Sequence, residues 1–70
     1  MTEFEFRKVF ADNVRDLLEE RQMTQRELTK KAEVGEKTLA ACLGLDKTPS
    51  INMILKLCDA FGCTIDRLVV

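Results

Sequence analysis

Seventy residues at 46% apolar and 33% charged composition fit one small folded domain, too apolar to stay disordered and without the ~18-residue apolar run of a membrane span. A chain this short hides only roughly 60% of the surface its unfolded form exposes, so its core is thin and self-association would help it. The net charge of -1 excludes a uniformly basic nucleic-acid coat, and the absence of histidine removes the commonest metal ligand and general base.

The opening residues MTEFEFRK are acidic and broken by charges, unlike a signal peptide, which points to a cytoplasmic protein. Phe6, Phe10, Val14, Leu17 and Leu18 then recur at helical spacing, predicting a first helix over about 6–21. Thr24 followed by Glu27 forms a capping box that opens a second helix over about 25–33, with Leu28, Ala32 and Val34 as its apolar stripe up to Gly35. Leu39, Cys42 and Leu43 give the i, i+3, i+4 face of a third helix over about 36–44. Two short helices joined by a tight glycine-containing turn, the stretch TQRELTKKAEVGEKTLAACLGLD, carry the signature of a helix-turn-helix.

Pro49 biases its predecessor away from helix, so residues 45–49 read as a loop. Ser50 suits the N-cap of a fourth helix over about 51–61, carrying Ile51, Ile54, Leu55, Cys58 and Phe61, and Gly62 suits its left-handed terminator. A last helical turn over about 65–69 presents Ile65 and Leu68. The fold expected is all-α, one five-helix domain over residues 1–70.

Cys42, Cys58 and Cys63 fall at inward positions, are odd in number and lack metal-ligand spacing, which favours buried free thiols over a disulfide or a metal site. No metal or other cofactor is expected. Catalysis is not expected either: there is no nucleophile elbow and no phosphate-cradling glycine loop, and acidic pairs such as Glu19-Glu20 sit on a solvated helix face. Charge is unevenly spread, however. Residues 1–20 sum to -3, residues 21–48 to +2 and residues 49–70 to zero, which is compatible with one basic face on nucleic acid.

In order, Phe10, Val14 and Leu17, then MTQREL at 23–28, Thr38-Leu39, and TPSINMILKLCDAFGCTIDRL at 48–68 resemble the Cro/repressor class of helix-turn-helix domains, also called XRE-like or lambda-repressor-like. The resemblance covers about residues 10–69 and implies a DNA-binding transcriptional regulator. It implies base-facing positions at Glu36, Lys37, Ala40 and Ala41, and a phosphate contact for Gln25 at the start of the second helix. The spacing agrees independently, since burying Leu39, Cys42 and Leu43 turns residues 36, 37, 40, 41 and 44 outward. Lys47 and Thr48 match a loop region that commonly holds phosphate, and Arg26, Lys30 and Lys31 are further basic candidates.

Of these, Lys37 can donate to guanine O6 or N7 and Glu36 can accept from a cytosine amino group. Ala40 and Ala41 offer only methyl contact with thymine or room for close approach. The bland reading makes Glu36 and Lys37 solvated helix-start residues and the alanines simple helix formers. Two departures stand out. Where many relatives pair an arginine in helix one with a glutamate near the end of helix three, this chain has Leu18 and Leu43, both apolar. Where asparagine-glycine-lysine is common, it has Gly44-Leu45-Asp46, which alters how the third helix ends and adds a negative charge near the expected phosphate path.

The leading expectation is a sequence-specific regulator of the repressor type, a homodimer on double-stranded operator DNA, with no membrane and no small-molecule substrate. The alternative is a degenerate helix-turn-helix protein acting through protein contacts without reading DNA, using the acidic first helix, Ala40-Ala41 and the apolar Leu45, Val69 and Val70.

Overall fold

The computed structural model describes all residues from Met1 to Val70 and contains five helices and no strand. They are α1 (Glu3–Glu20), α2 (Gln25–Ala32), α3 (Glu36–Leu43), α4 (Ile51–Phe61) and α5 (Asp66–Val69). Helix α1 begins earlier than the apolar spacing suggests. Thr2 and Glu5 form a full capping box, with the Glu5 amide donating to Thr2 Oγ1 at 3.1 Å and the Thr2 amide donating to Glu5 Oε1 at 2.7 Å. Two orphan donors of the first turn are thereby satisfied. The same box repeats at α2 between Thr24 and Glu27, and the Ser50 hydroxyl accepts from the Met53 amide at α4.

Helix α1 packs against α3 and α5, and α2 packs against α3 and α4. Helix α3 is therefore held from two sides by its inner face. One apolar cluster fills the centre. Phe10, Val14, Leu17, Leu28, Leu39, Cys42, Leu57 and Leu68 are completely buried in it, each of the larger side chains contributing about 1.5–3 kcal/mol. Leu18 and Leu43 belong to the same cluster. Of the three cysteines, Cys42 and Cys58 are buried and Cys63 is only half-buried; all are free thiols. Leu45 and Val69 also pack partly against the core, which leaves Val70 alone fully outside among the apolar residues expected at the surface there.

Each of the first four helices ends the same way, in a six-to-one backbone bond closed around a left-handed residue. The bonds run from the amides of Met23, Val34, Asp46 and Cys63 to the carbonyls of Leu18, Thr29, Ala41 and Cys58, at 2.8, 3.1, 2.9 and 3.0 Å. This is the Schellman motif, whose left-handed position favours glycine because it has no Cβ to clash. Only α4 places glycine there, Gly62 at φ 69°. The others use Gln22, Glu33 and Leu45 at φ 53°, 58° and 67°.

Neither Gly35 nor Gly44 occupies a left-handed position: Gly35 is the extended N-cap of α3, and Gly44 has φ -83°. Helix α2 accordingly stops at Ala32, one residue before the strained Glu33. Glu33→Gly is expected to stabilise the protein by about 0.5–1 kcal/mol. The left-handed penalty of roughly 1–2 kcal/mol is relieved, less the extra freedom glycine gives the unfolded chain. Gly62→Ala should do the reverse. Urea midpoints of the two variants read the sign directly, and a Glu33→Gly midpoint at or below that of the parent chain contradicts the strain argument.

Candidate nucleic-acid interface

Helix α3 is anchored by Leu39, Cys42 and Leu43, all buried, and Cys42 Sγ lies 4.0 Å from Met53 Sδ of α4. Because α-helical side chains repeat every 3.6 residues, the opposite face is turned out. Glu36, Lys37, Ala40 and Gly44 are exposed, while Ala41 is half-buried at the edge of that face. The outward surface is nearly bare. A Cβ on Gly44 would meet the Ala40 carbonyl at 3.3 Å and an Asp46 carboxylate oxygen at 3.5 Å, so Asp46 folds back over the end of the helix.

The start of α2 meets the start of α3 across a shallow cleft of about 240 Å³ lined by Gln25, Arg26, Thr29, Glu36 and Ala40. Four of the sequence-derived positions are thus brought together. Arg26 Nε lies 3.7 Å from Glu36 Oε1, a solvent-facing pair. Such a pair is worth little by itself, but it offsets the one negative charge on the outward face. Buried Thr29 returns its hydroxyl to the Arg26 carbonyl at 2.9 Å, so no polar atom is orphaned beneath the cleft.

Other positions are not gathered there. Lys31 lines a separate cleft with Glu33, Lys56 and Asp59, between α2 and α4. Lys47 is exposed in the loop after α3 and stands free of ion pairs within 4.0 Å. Thr48 is committed inward: its hydroxyl donates to Glu3 Oε2 and accepts from Arg7 Nε at 2.7 Å. With both functions occupied, the side chain is a clasp between α1 and the loop; a phosphate contact from it would have to displace Glu3.

Sequence reasoning missed two arginines of α1. Arg7 Nη1 donates to the Leu45 carbonyl at 3.2 Å and Arg15 Nη2 to the Leu43 carbonyl at 3.1 Å. Both place a guanidinium where the carbonyls of α3 end unpaired, and α3 has no basic residue in its own last turn. Nothing in their spacing marks them, since two charged residues on a solvated helix face look like any others.

The polar contacts make carboxylates acid-sensitive. Hydrogen bonds from Thr48 and Arg7 hold Glu3 below the ordinary carboxylate value of 4.5, and contact with Arg67 does the same to Glu20. Accepting the cap amides lowers Glu5 and Glu27. A folded value below the unfolded one gives stability that is fully present above about pH 4.5 and lost as pH falls through the folded values. Melting temperature should therefore hold from pH 7 to about 5 and fall below that. Glu27→Gln should lose less between pH 5 and 3 than the parent chain, and equal losses would remove the cap from the explanation.

No helix is long and apolar enough to cross a membrane. Among curated proteins none matches the chain. The family of Cro/C1-type HTH DNA-binding domains matches residues 13–70, which takes in all of α2 to α5 and the C-terminal part of α1. With α3 anchored on one face, bare on the other and paired with α2 across a glycine-containing turn, the chain belongs to the Cro/C1-type helix-turn-helix family and is a DNA-binding regulator whose partner is double-stranded DNA.

Proposed function

We propose that the protein is a sequence-specific regulator of the repressor type that occupies an operator as a homodimer, with α3 in the major groove. The outward face of α3 carries this reading: Glu36, Lys37, Ala40 and Gly44 are exposed together, and no other element of the fold covers them. Lys37 donates to a guanine, Glu36 accepts from a cytosine amino group, and Ala40 and Ala41 meet thymine methyls or simply let the helix approach. Gln25 and Arg26 at the start of α2, and Lys47 beyond α3, hold phosphates that set the register. The domain measures 29 × 23 × 20 Å. On a two-fold-symmetric operator the two α3 helices of such a dimer would lie about one helical turn of DNA apart, roughly 34 Å, the spacing of adjacent half-sites.

The test is selection of bound sequences from a randomised duplex library, followed by anisotropy titration of the winner across salt with Lys37→Ala alongside. The expected result is an enriched two-fold-symmetric site, affinity that falls steeply with salt, and a variant that loses about 1–3 kcal/mol of discrimination at one position. No enrichment, with no binding at low salt, would sink the proposal.

One observation favours the second reading, action through protein contacts. Ile51 and Leu55, one turn apart on α4, are 59% and 50% exposed. An apolar contact of that kind does not follow counterion release, so salt dependence separates the two.

A further inference from the structure

Two thiols meet at the end of α4. In a Schellman motif the third residue from the helix end and the second beyond it are brought side by side, commonly as an apolar contact. The pairs so placed are Leu18 with Met23 at α1, Thr29 with Val34 at α2 and Ala41 with Asp46 at α3, but Cys58 with Cys63 at α4. The Cys63 amide donates to the Cys58 carbonyl at 3.0 Å. Standard backbone dimensions hold the two Cα atoms within about 7 Å even with every intervening bond in line. Real bond angles bring them inside the roughly 4.4–6.8 Å that a disulfide spans.

We propose that Cys58 and Cys63 are a paired oxidation site, closed to an intramolecular disulfide by a low-molecular-weight disulfide and stapling α4 to the segment that enters α5.

The two sulfurs have different roles. Cys63 is half-exposed and is the entry point, whereas Cys58 is only 7% exposed. Burial, together with the Cys63 thiol beside it and Asp59, pushes the Cys58 thiol up to about 11, so it is a poor first attacker. Cys63 loses its proton to solvent and its thiolate attacks one sulfur of the small disulfide, expelling the other as a thiolate that takes up a proton. Cys58 then gives up its proton, its sulfur attacks Cys63, and the second small thiol leaves. The two protein thiols are oxidised, one small disulfide is reduced to two thiols, and the backbone bond already present keeps the second step local. Cys42 is outside this chemistry. It is completely buried against Met53 and serves as an internal control.

The experiment equilibrates the full chain with oxidised glutathione, blocks free thiols by alkylation and maps the linkages by peptide mass. The expected product joins Cys58 to Cys63, leaves Cys42 protected until the protein is unfolded, and melts several degrees higher than the reduced chain. Cys63→Ser, a change at a half-exposed position, should show no such shift. A glutathione adduct that stays on Cys63 without closing, a Cys63-linked dimer as the main product, or any linkage through Cys42 would overturn the proposal. The mass map of the parent chain decides this even if a variant folds poorly.

Discussion

Leu18→Arg should cost about 3–5 kcal/mol and leave much of the protein unfolded at room temperature. Leu18 is 8% exposed and Leu43 3%, and both sit in the single apolar cluster where α1 packs on α3. An arginine there is a charge without a partner, and an uncompensated buried charge is penalised on that scale. Domains of this size have few kcal/mol to lose. The informative variant is the double one, Leu18→Arg with Leu43→Glu, which rebuilds the ion pair that many relatives carry at these positions. The double chain should be more stable than the sum of the two single losses predicts, a favourable coupling of about 1–3 kcal/mol in a double-mutant cycle. It should not exceed the parent chain, because exchanging apolar packing for a buried ion pair is neutral or worse. Urea unfolding of the four chains measures the cycle. Additive losses would mean that 18 and 43 do not face each other, and the correspondence of α1 and α3 to those relatives would fail with them.

That cycle also marks how far the residues could be read in advance. Periodicity located five helices because apolar residues from Phe10 to Leu68 repeat at helical spacing and most of them fill the core, although Ile51, Leu55 and Ile65, read as part of the same stripes, stay exposed. Caps were legible where a side chain makes them, as at Thr24 and Ser50, or where glycine marks a left-handed end, as at Gly62, and the Thr2–Glu5 box that starts α1 was open to the same reasoning. The left-handed conformations of Gln22, Glu33 and Leu45 at the helix ends were not. A left-handed residue with a side chain is imposed by the packing of the following helix, and glycine, the usual marker, stands at Gly35 and Gly44 in ordinary conformations.

The outward face of α3 followed from which neighbours are buried, since 3.6-residue geometry leaves little freedom. Long-range polar contacts did not follow. Arg7 and Thr48 are 41 residues apart, and no local rule couples them.

Arg7 is where that blind spot has its largest energetic consequence. Its guanidinium donates to Thr48 Oγ1, to the Leu45 carbonyl and to Glu3 Oε2, so one side chain joins α1 to the loop that follows α3. Hydrogen bonds to a charged group are worth about 1.5–3 kcal/mol. Arg7→Met keeps an apolar stem but strands the Leu45 carbonyl and removes the bond that the Thr48 hydroxyl accepts, and should cost about 2–3 kcal/mol in urea unfolding. Glu3→Gln should cost much less, because the Glu3–Arg7 pair is solvent-facing while the Leu45 and Thr48 contacts are part-buried.

The same substitution reaches the proposed DNA face. Leu45 holds the left-handed turn after α3 and Lys47 follows two residues later, so freeing Leu45 lets Lys47 wander. Affinity for the selected duplex should fall in Arg7→Met at temperatures where the variant remains folded, with base preference unchanged. That pattern separates positioning of a phosphate contact from base reading. If affinity were untouched while stability fell, Lys47 would have no part in holding the backbone, and the phosphate contacts would belong to α2 alone.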